Sequence, residues 1–439
     1  MHDSPTDGPT KSLIAWTQDV TAGVPLPRYV GRVGAVEVGI CEYDGSNRFW
    51  TWWSPLAEDI WGHAQEPEAA KQAAELERAG RHIIHMGIGE PDFTAAAPVI
   101  HAAEAAMRRG VTQYTGALGI HALREAIAGY YKTAYGIDVP ARRVIVTAGA
   151  SGALLLACAV LVEIGAEVLM PDPSYPCNRH FVAAFDGHAK MIPSGPEERF
   201  QLTAAQVVEH WGENTRGVLL ASPSNPTGTS ILPDELKAIL AEVRKRQGFA
   251  ILDEIYQGLS YDAPPVSALS LDDNVVTVNS FSKYFNMTGW RLGWLVVPDS
   301  LVPAFEKVAQ NLFICASAVA QHAALACFTP EALAIYDERK AEFRRRRDAI
   351  VPALEALGLR VPVKPDGAFY VYANCRHVNH PAAGNADRLT QAILHDAGVV
   401  MVPGTDFGPH TANDYIRISY ATSMQNIEEA MQRLHHFLR

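Results

Sequence analysis

Four predicted β-strands end in polar residues whose types could carry out acid–base and nucleophilic chemistry. A parallel α/β sheet binds its ligands in the crevice beyond the carboxyl ends of its strands, so residues at those ends are expected to share one mouth. An amide, a carboxylate, a phenol, hydroxyls and an amine would meet there. The residues are Asn225, Asp253, Tyr256, Ser280, Ser282 and Lys283.

A run of small residues follows the first of these strands, which spans 142–147. Gly149, Ala150, Ser151 and Gly152 lead into an apolar helix, and the backbone N–H groups at the start of such a helix can bind an anion. Taken alone, a glycine cluster after a strand is usually a turn, and a single aspartate or lysine usually caps a helix or faces solvent. The coincidence of four such strand ends favours a ligand site.

The elements that must position these residues alternate along the chain. From about residue 80, short β-branched apolar runs alternate with amphipathic stretches, which is typical of a mainly parallel sheet covered by helices, so the predicted fold class is α/β. Strands are predicted at 142–147, 166–170, 216–222, 249–253, 274–280, 368–372, 399–402 and 415–420. Helices are predicted at 98–109, 120–131, 234–246 and 425–438, and residues 301–357 are mostly helical.

Length and composition limit the classes of protein that fit. The chain has 439 residues, of which 48% are hydrophobic and 19% charged, so it is expected to be globular rather than disordered or fibrous. Its formal net charge of −11 gives no attraction to a phosphate backbone or an anionic bilayer, so we expect neither nucleic acid nor a membrane as a partner. Six scattered cysteines without a C-x-x-C pair indicate neither a zinc site nor a disulfide framework, which fits the cytoplasm.

We assign no catalytic or binding function to two further groups of charged or ligating residues. His82 and His85 lie three apart on a predicted strand and point to opposite faces, so no metal is expected there. The basic run 344–347 is interpreted as a solvated helix face, because Glu342 and Asp348 partly balance its charge.

Three segments near the predicted strand ends, SNPTG, LDEIY and SFSKYFNMTGWRLGW, resemble the signature segments of class I and II aminotransferases. GEPDF, QYTGALG, TAGASGAL, PDPSYP and YIRISYA keep the order and spacing of that family. The resemblance implies an enzyme of fold type I that uses pyridoxal 5′-phosphate. It also implies a large domain with a mainly parallel sheet and a smaller α+β domain formed by the N- and C-terminal parts.

The resemblance divides the chain into parts. It implies that 54–95 forms the N-terminal part of the small domain, 96–320 the large cofactor-binding domain and 321–439 the C-terminal small domain. Residues 1–53 are then an N-terminal extension of unknown role. The segment RFWTWWSP at 48–55 shows neither helical nor strand periodicity, and we assign it no function.

Five residues would contact the cofactor ring according to this resemblance. Lys283 matches the lysine that forms the Schiff base and then moves a proton between the substrate and the cofactor. Asp253 matches the carboxylate that keeps the pyridine nitrogen protonated. Asn225 and Tyr256 match the pair that hydrogen-bonds the ring's O3′, and Tyr175 matches the aromatic residue that stacks on the ring.

Further positions match the phosphate site of the family. Ser280, Arg291 and the backbone amides of Ala150 and Ser151 correspond to phosphate ligands, and the planar fork of an arginine suits a phosphate. Tyr114 corresponds to a residue that reaches the phosphate of the neighbouring subunit's cofactor. The resemblance therefore implies a homodimer with shared active sites.

Arg417 stands between two isoleucines in IRIS, where a charge is costly unless it is paired. Its position indicates either a captured anion or a structural salt bridge. The resemblance assigns Arg417, together with Asn225, to the substrate, with Arg417 holding the α-carboxylate. Gly89 matches the backbone position beside that carboxylate, where a side chain would obstruct the substrate.

The function implied is an aminotransferase that moves an amino group from an L-amino acid to a 2-oxo acid in two half-reactions, with 2-oxoglutarate expected as the acceptor from family habit. A C–S lyase or synthase of the same fold would use the same lysine, aspartate and arginines. A non-catalytic regulator with a DNA-binding module would need a basic helical segment, but the first 53 residues hold four basic residues. The amino donor stays open, because no second cation for a side-chain carboxylate can be assigned.

Overall fold

The computed structural model describes the backbone of residues 15–19, 28–33, 36–44, 49–53 and 66–71, and the backbone and side chains of residues 72–410 and 412–439. Contacts within the chain separate two units, Met1–Ala64 and Gln65–Arg439. The domain limits predicted from the family resemblance stay a prediction.

The described residues of the first unit form a four-stranded antiparallel sheet in chain order. The last strand contains Trp50, Trp52 and Trp53, although this segment shows no strand periodicity. Four of its five residues are aromatic, so the sequence marks neither face as polar and the usual alternation is missing. The strands are β1 (Ala15–Asp19), β2 (Arg28–Val33), β3 (Val36–Asp44) and β4 (Phe49–Trp53).

The strands of the second unit are β5 (Ile84–His85), β6 (Val144–Thr147), β7 (Glu167–Asp172), β8 (His188–Pro193), β9 (Thr215–Ala221), β10 (Phe249–Asp253), β11 (Val276–Ser280), β12 (Gly293–Val296), β13 (Tyr370–Asn374), β14 (Val399–Val400), β15 (Val402–Pro403) and β16 (Tyr415–Ser419). Seven of them form the central sheet in the order β6-β12-β11-β10-β9-β7-β8. Every pairing in this sheet is parallel except those that β12 makes with β6 and β11. The carboxyl ends of β6, β9, β10 and β11 therefore lie at one edge.

The helices are α1 (Glu66–Arg78), α2 (Ala97–Arg108), α3 (His121–Tyr135), α4 (Gly149–Leu161), α5 (Pro176–Ala183), α6 (Ala204–His210), α7 (Pro233–Lys245), α8 (Val302–Phe313), α9 (Ala318–Ala324), α10 (Pro330–Ala356), α11 (Ala386–Ala392) and α12 (Met424–Phe437). In the part of the chain that the structure describes, no single helix is long and apolar enough to cross a bilayer. Two consecutive helical segments are together long and apolar enough, but they meet at a bend of 81°. They are Ala318–Phe328 and Pro330–Ala356.

Both faces of the central sheet are buried, which explains why its strands are apolar without alternation. Val144 and Val146 of β6 enter one hydrophobic cluster and Ile145 enters another. The same division separates Leu252 from Ile251 in β10. The predicted α/β class is confirmed.

Most predicted elements are present with ends shifted by a few residues. The five strands predicted between 142 and 280 correspond to β6, β7, β9, β10 and β11. Two further strands of the central sheet, β8 and β12, were not predicted. His188–Pro193 reads HAKMIP, in which few residues are β-branched, and Gly293–Val296 is only 4 residues long.

The prediction that 344–347 is a solvated helix face is wrong for half of the run. Arg346 and Arg347 in α10 are buried. Arg346 pairs with Asp92 as well as Glu342, and Arg347 pairs with Asp262. The acidic partners Asp92 and Asp262 come from distant parts of the chain, so the local charge pattern could not show them.

Candidate active site

The carboxyl ends of β6, β9, β10 and β11 open into a cavity of about 260 Å³. Every site residue predicted from the sequence lines this cavity, with the exception of Tyr114. Tyr114 is 81% exposed at the surface of the chain. The lining also includes residues that the sequence did not single out, namely Leu154, Ala221, Ile255, Thr288 and Tyr370.

One end of the cavity is formed by the start of α4. Its N-cap, Ala148, supplies no side-chain acceptor, so the first amides of the helix are not capped by that residue. A Cβ atom at Gly149 would lie 2.7 Å from Nη2 of Arg291, and Gly149 has a φ of +76°. Glycine therefore lets the guanidinium approach the helix start. Together, the amides and Arg291 provide positive potential for an anion.

Ser280 helps to turn the chain towards the cavity after β11. Its Oγ accepts a hydrogen bond from the N–H of Ser282 at 3.0 Å and donates one to the carbonyl of Leu292 at 3.3 Å. Such a side-chain-to-backbone bond stabilises a turn. Lys283 follows this turn directly, so its side chain is delivered to the cavity that Ser280 also lines.

Lys283 is an unusual lysine because its amine is held inside the protein. Its Nζ donates a hydrogen bond to the carbonyl of Gly89 at 2.6 Å. Burial lowers the pKa of Lys283 to about 8, an effect that nearby Glu90 opposes and Arg417 reinforces. A larger fraction of the amine is therefore neutral near pH 7 than in a solvated lysine, which favours nucleophilic attack on a carbonyl.

Asp253 is the last residue of β10 and is 4% exposed. Its Oδ1 accepts a hydrogen bond from the N–H of Ile255 at 3.1 Å. Burial raises the pKa of Asp253 to about 7, although this amide and Lys283 favour the charged form. A cation placed against the carboxylate would offset the cost of burying its charge.

Arg417 projects from the middle of β16 and is 4% exposed. Its Nη1 donates to Oδ1 of Asn225 at 3.0 Å, and its Nη2 donates to the carbonyl of Gly87. The guanidinium also lies 4.8 Å from the ring centroids of both Tyr370 and Phe407. These contacts fix the plane of the guanidinium beside Asn225, which is suited to binding a carboxylate in two hydrogen bonds.

Tyr370 links the groups on the two sides of the cavity. Its hydroxyl lies 2.9 Å from the hydroxyl of Tyr256, and its ring faces Arg417. Burial raises the pKa of Tyr256 well above its ordinary value, so this phenol stays protonated. Sequence reasoning missed Tyr370 because it stands in GAFYVY, where aromatic residues are typical of an ordinary buried strand.

A side chain at position 89 would collide with Tyr370, in addition to obstructing the substrate as the family resemblance implies. A Cβ atom at this position would lie 2.1 Å from the hydroxyl oxygen of Tyr370 and 3.1 Å from its Cζ.

Tyr175 lies at the start of α5 and contributes to the cavity wall. Among the described residues, no cluster of three or more His, Cys, Asp or Glu side chains could hold a metal ion.

Replacing Gly89 with alanine is expected to lower the free energy of unfolding by about 1–3 kcal/mol, because the added methyl group overlaps the Tyr370 hydroxyl. Tyr370→Phe removes the nearest atom, so the double variant should recover part of the loss. Chemical denaturation of both single variants and the double variant measures this coupling. Gly129→Ala is the control, because a Cβ there meets nothing within 4 Å. Strictly additive effects of the two changes would contradict the packing described.

A mainly parallel sheet presents a buried amine and a buried acid at its carboxyl edge, and a buried arginine from the sheet that contains β16 lines the same cavity, as the resemblance to fold-type I enzymes implies. Comparison with known proteins agrees with this class. The family model described as aminotransferase class I and II matches residues 81–434.

Individual relatives support the same assignment. A valine–pyruvate aminotransferase of Mycobacterium tuberculosis is 40% identical over 82% of this chain and 92% of the relative. An aspartate aminotransferase of Pyrococcus horikoshii is 36% identical over 82% of this chain and 92% of the relative. A crystal structure of an aminotransferase from Mycobacterium tuberculosis has a TM-score of 0.81 and 39% identity, and the match covers 85% of this chain and 96% of that one. The chain belongs to the class I and II aminotransferase family.

Proposed function

We propose that this enzyme uses pyridoxal 5′-phosphate to transfer an amino group from an L-amino acid to a 2-oxo acid, with 2-oxoglutarate as the acceptor. One observation carries the proposal. A buried amine, Lys283, shares a single cavity with a buried acid, Asp253, and a buried arginine, Arg417. These three groups supply a nucleophile, a partner for a cationic nitrogen and a site for a carboxylate.

The residues of the cavity fit this cofactor. The start of α4, with the amides of Ala150 and Ser151, would bind the phosphate together with Ser280 and Arg291, because these groups combine positive potential with hydrogen-bond donors. The buried Asp253 would bind the pyridine nitrogen. When bound, the cofactor supplies an aldehyde and an electron-withdrawing ring.

Further residues would contact the edge and the face of the cofactor's pyridine ring. Asn225 and the protonated phenol of Tyr256 would bind the oxygen on the ring's edge. Tyr175 would stack on the ring's face, since aromatic rings pack favourably in offset arrangements.

The protein's own residues then divide the work of the reaction. Asp253 would keep the ring nitrogen of the cofactor protonated, because a negative partner raises the proton affinity of that nitrogen. Lys283 would hold the cofactor through its amine and, when that amine is free, would move a proton at the substrate's α-carbon. Arg417 binds the α-carboxylate and orients the α-carbon towards Lys283. Gly89 leaves space beside that carboxylate.

The exposed position of Tyr114 supports a homodimer with shared active sites, since a side chain that is 81% exposed is available to reach a second subunit. Five described cysteines are free: Cys158, Cys177, Cys315, Cys327 and Cys375. Free thiols of this number fit a reducing compartment, which supports the cytoplasm as the location.

A panel of amino donors tests the proposed reaction. The purified enzyme, supplied with pyridoxal 5′-phosphate, is incubated with valine, aspartate, alanine or an aromatic amino acid and with 2-oxoglutarate or pyruvate. Formation of the new amino acid from the 2-oxo acid, at a rate that depends on both substrates, supports transfer. Release of ammonia and a 2-oxo acid without a new amino acid would contradict transfer and support a lyase of the same fold.

The rate at which Lys283 captures pyridoxal 5′-phosphate should depend on pH in a defined way. The pKa of Lys283 is lowered to about 8, so the neutral fraction of its amine rises with pH below this value and is nearly complete above it. We therefore expect the capture rate of the cofactor-free enzyme to rise about tenfold per pH unit between pH 6 and 7 and to level off above about pH 8. Stopped-flow absorbance measures the rate. A rate that climbs steadily to pH 10, as with a solvated lysine, would contradict the lowered pKa.

A further inference from the structure

A buried carboxylate outside the reaction groups joins two segments that border the active site. Asp172 is the last residue of β7 and is 1% exposed. Its Oδ2 accepts a hydrogen bond from the backbone N–H of His410 at 3.1 Å and lies 2.7 Å from the ring Nδ1 of the same residue. Its Oδ1 is buried without a hydrogen-bond partner among the described residues. The bonds to His410 therefore provide most of the compensation for burying this carboxylate.

The contact extends along both segments. We name residues 172–175 the Tyr175 segment and residues 404–410 the Phe407 segment. The N–H of Ser174 donates to the carbonyl of Phe407 at 2.9 Å. A Cβ atom on Gly408 would lie 1.8 Å from Oδ1 of Asp172, so the backbone of the Phe407 segment lies directly against the carboxylate.

A second cation lies near this contact. Arg179 of α5 donates a hydrogen bond to the carbonyl of Asp406 at 3.2 Å. Burial raises the pKa of Asp172, and the positive charge of Arg179 opposes this shift, although less strongly than His410 does. Arg179 thus adds a contact between α5, which follows the Tyr175 segment, and the Phe407 segment.

Each segment carries a side chain that the proposed function uses. Tyr175 lines the cavity at the end of its segment. Phe407 is 1% exposed, and its ring centroid lies 4.8 Å from the guanidinium of Arg417. A change in the separation between the two segments would therefore move Tyr175 relative to Phe407, which packs against the guanidinium of Arg417.

We propose that His410 is a positioning residue for substrate binding, which fastens the Phe407 segment to the Tyr175 segment through Asp172. This proposal rests on the proposed function. The side chain of His410 is 49% exposed and that of Asp172 is fully buried, so the histidine closes the carboxylate off from solvent. Without the imidazole, the buried carboxylate of Asp172 loses its principal hydrogen-bond donor. Separation of the two segments would then let water reach this carboxylate.

Three variants of the cofactor-loaded enzyme test this role. His410→Ala should raise KM for the amino donor about tenfold and leave kcat within about twofold, the size expected for losing one hydrogen bond to a charged group. His410→Asn keeps an N–H donor near the position of Nδ1 and should restore most of the affinity. His435→Ala is the control, because His435 is an exposed histidine at the end of α12. Unchanged KM in His410→Ala, or no rescue by asparagine, would overturn the proposal.

Amide hydrogen exchange provides a readout that does not depend on turnover. The Ser174 amide should exchange faster in His410→Ala than in the wild type, while amides in β10 and β11 keep their protection. Loss of protection throughout the chain would show a general loss of stability and would overturn the positioning role. Absence of amino transfer in the wild type would instead contradict the proposed function, and exchange at Ser174 would then decide by itself whether His410 holds the two segments together.

Discussion

Replacing Lys283 with alanine is expected to lower turnover by about 10⁴-fold or more, because in the proposed reaction the same amine serves as nucleophile and as acid–base group. The variant should fold normally, since removing a buried amine with a pKa of about 8 relieves a desolvation cost rather than breaking an ion pair. Steady-state rates with a saturating amino donor measure the loss, and circular dichroism checks the fold.

A second lysine provides a matched control for this variant. Lys340 in α10 is partly buried, and its pKa is lowered by burial as well. It does not line the cavity. Lys340→Ala should therefore retain turnover close to that of the wild type. Comparable activity in Lys283→Ala and Lys340→Ala would contradict the proposed role of Lys283.

Replacing Arg417 with alanine is expected to reduce kcat/KM for the amino donor by about 10²–10³-fold, the loss typical of truncating one partner of a buried hydrogen-bonded charge pair. Arg417→Lys should give an intermediate loss, because an ammonium keeps the charge but cannot form two parallel hydrogen bonds. Steady-state kinetics with the preferred amino donor measures both variants.

A comparison of substrates separates carboxylate binding from general damage to the protein. The wild type should strongly prefer an amino acid over the amine that lacks its carboxylate, and Arg417→Ala should lose most of this preference. Arg347→Lys is the control, because Arg347 is equally buried but does not line the cavity. That variant should keep the preference even if its stability falls. An unchanged preference in Arg417→Ala would contradict the assignment of this arginine to the carboxylate.

The grouping of the candidate site residues in one cavity could be predicted because the parallel sheet brings its strand ends together. Asn225, Asp253 and Ser280 each lie at or just beyond the end of an apolar strand, and such ends meet at one edge. The ladder pairing of β10 with β9 and β11 places these ends side by side. A pattern of strands and polar strand ends was therefore enough to bring together residues that are far apart in sequence.

Other parts of the fold and of the candidate site depend on contacts that no local pattern reveals. Tyr370 looks like one more buried aromatic residue until its hydroxyl is placed 2.9 Å from that of Tyr256. Arg346 looks solvated until Asp92 is placed beside it. His410 and Asp172 are 238 residues apart, and nothing near either residue in the sequence indicates a partner. In each case, the identity of the residue was visible, but its partner was set by the tertiary fold.

The proposed function requires covalent attachment of the cofactor at one lysine. The enzyme is supplied with pyridoxal 5′-phosphate, reduced with borohydride, digested and analysed by mass spectrometry. We predict a single pyridoxyl phosphate group, attached to the peptide that contains Lys283. A wild-type protein that carries no label, or carries it on a different lysine, would contradict the account.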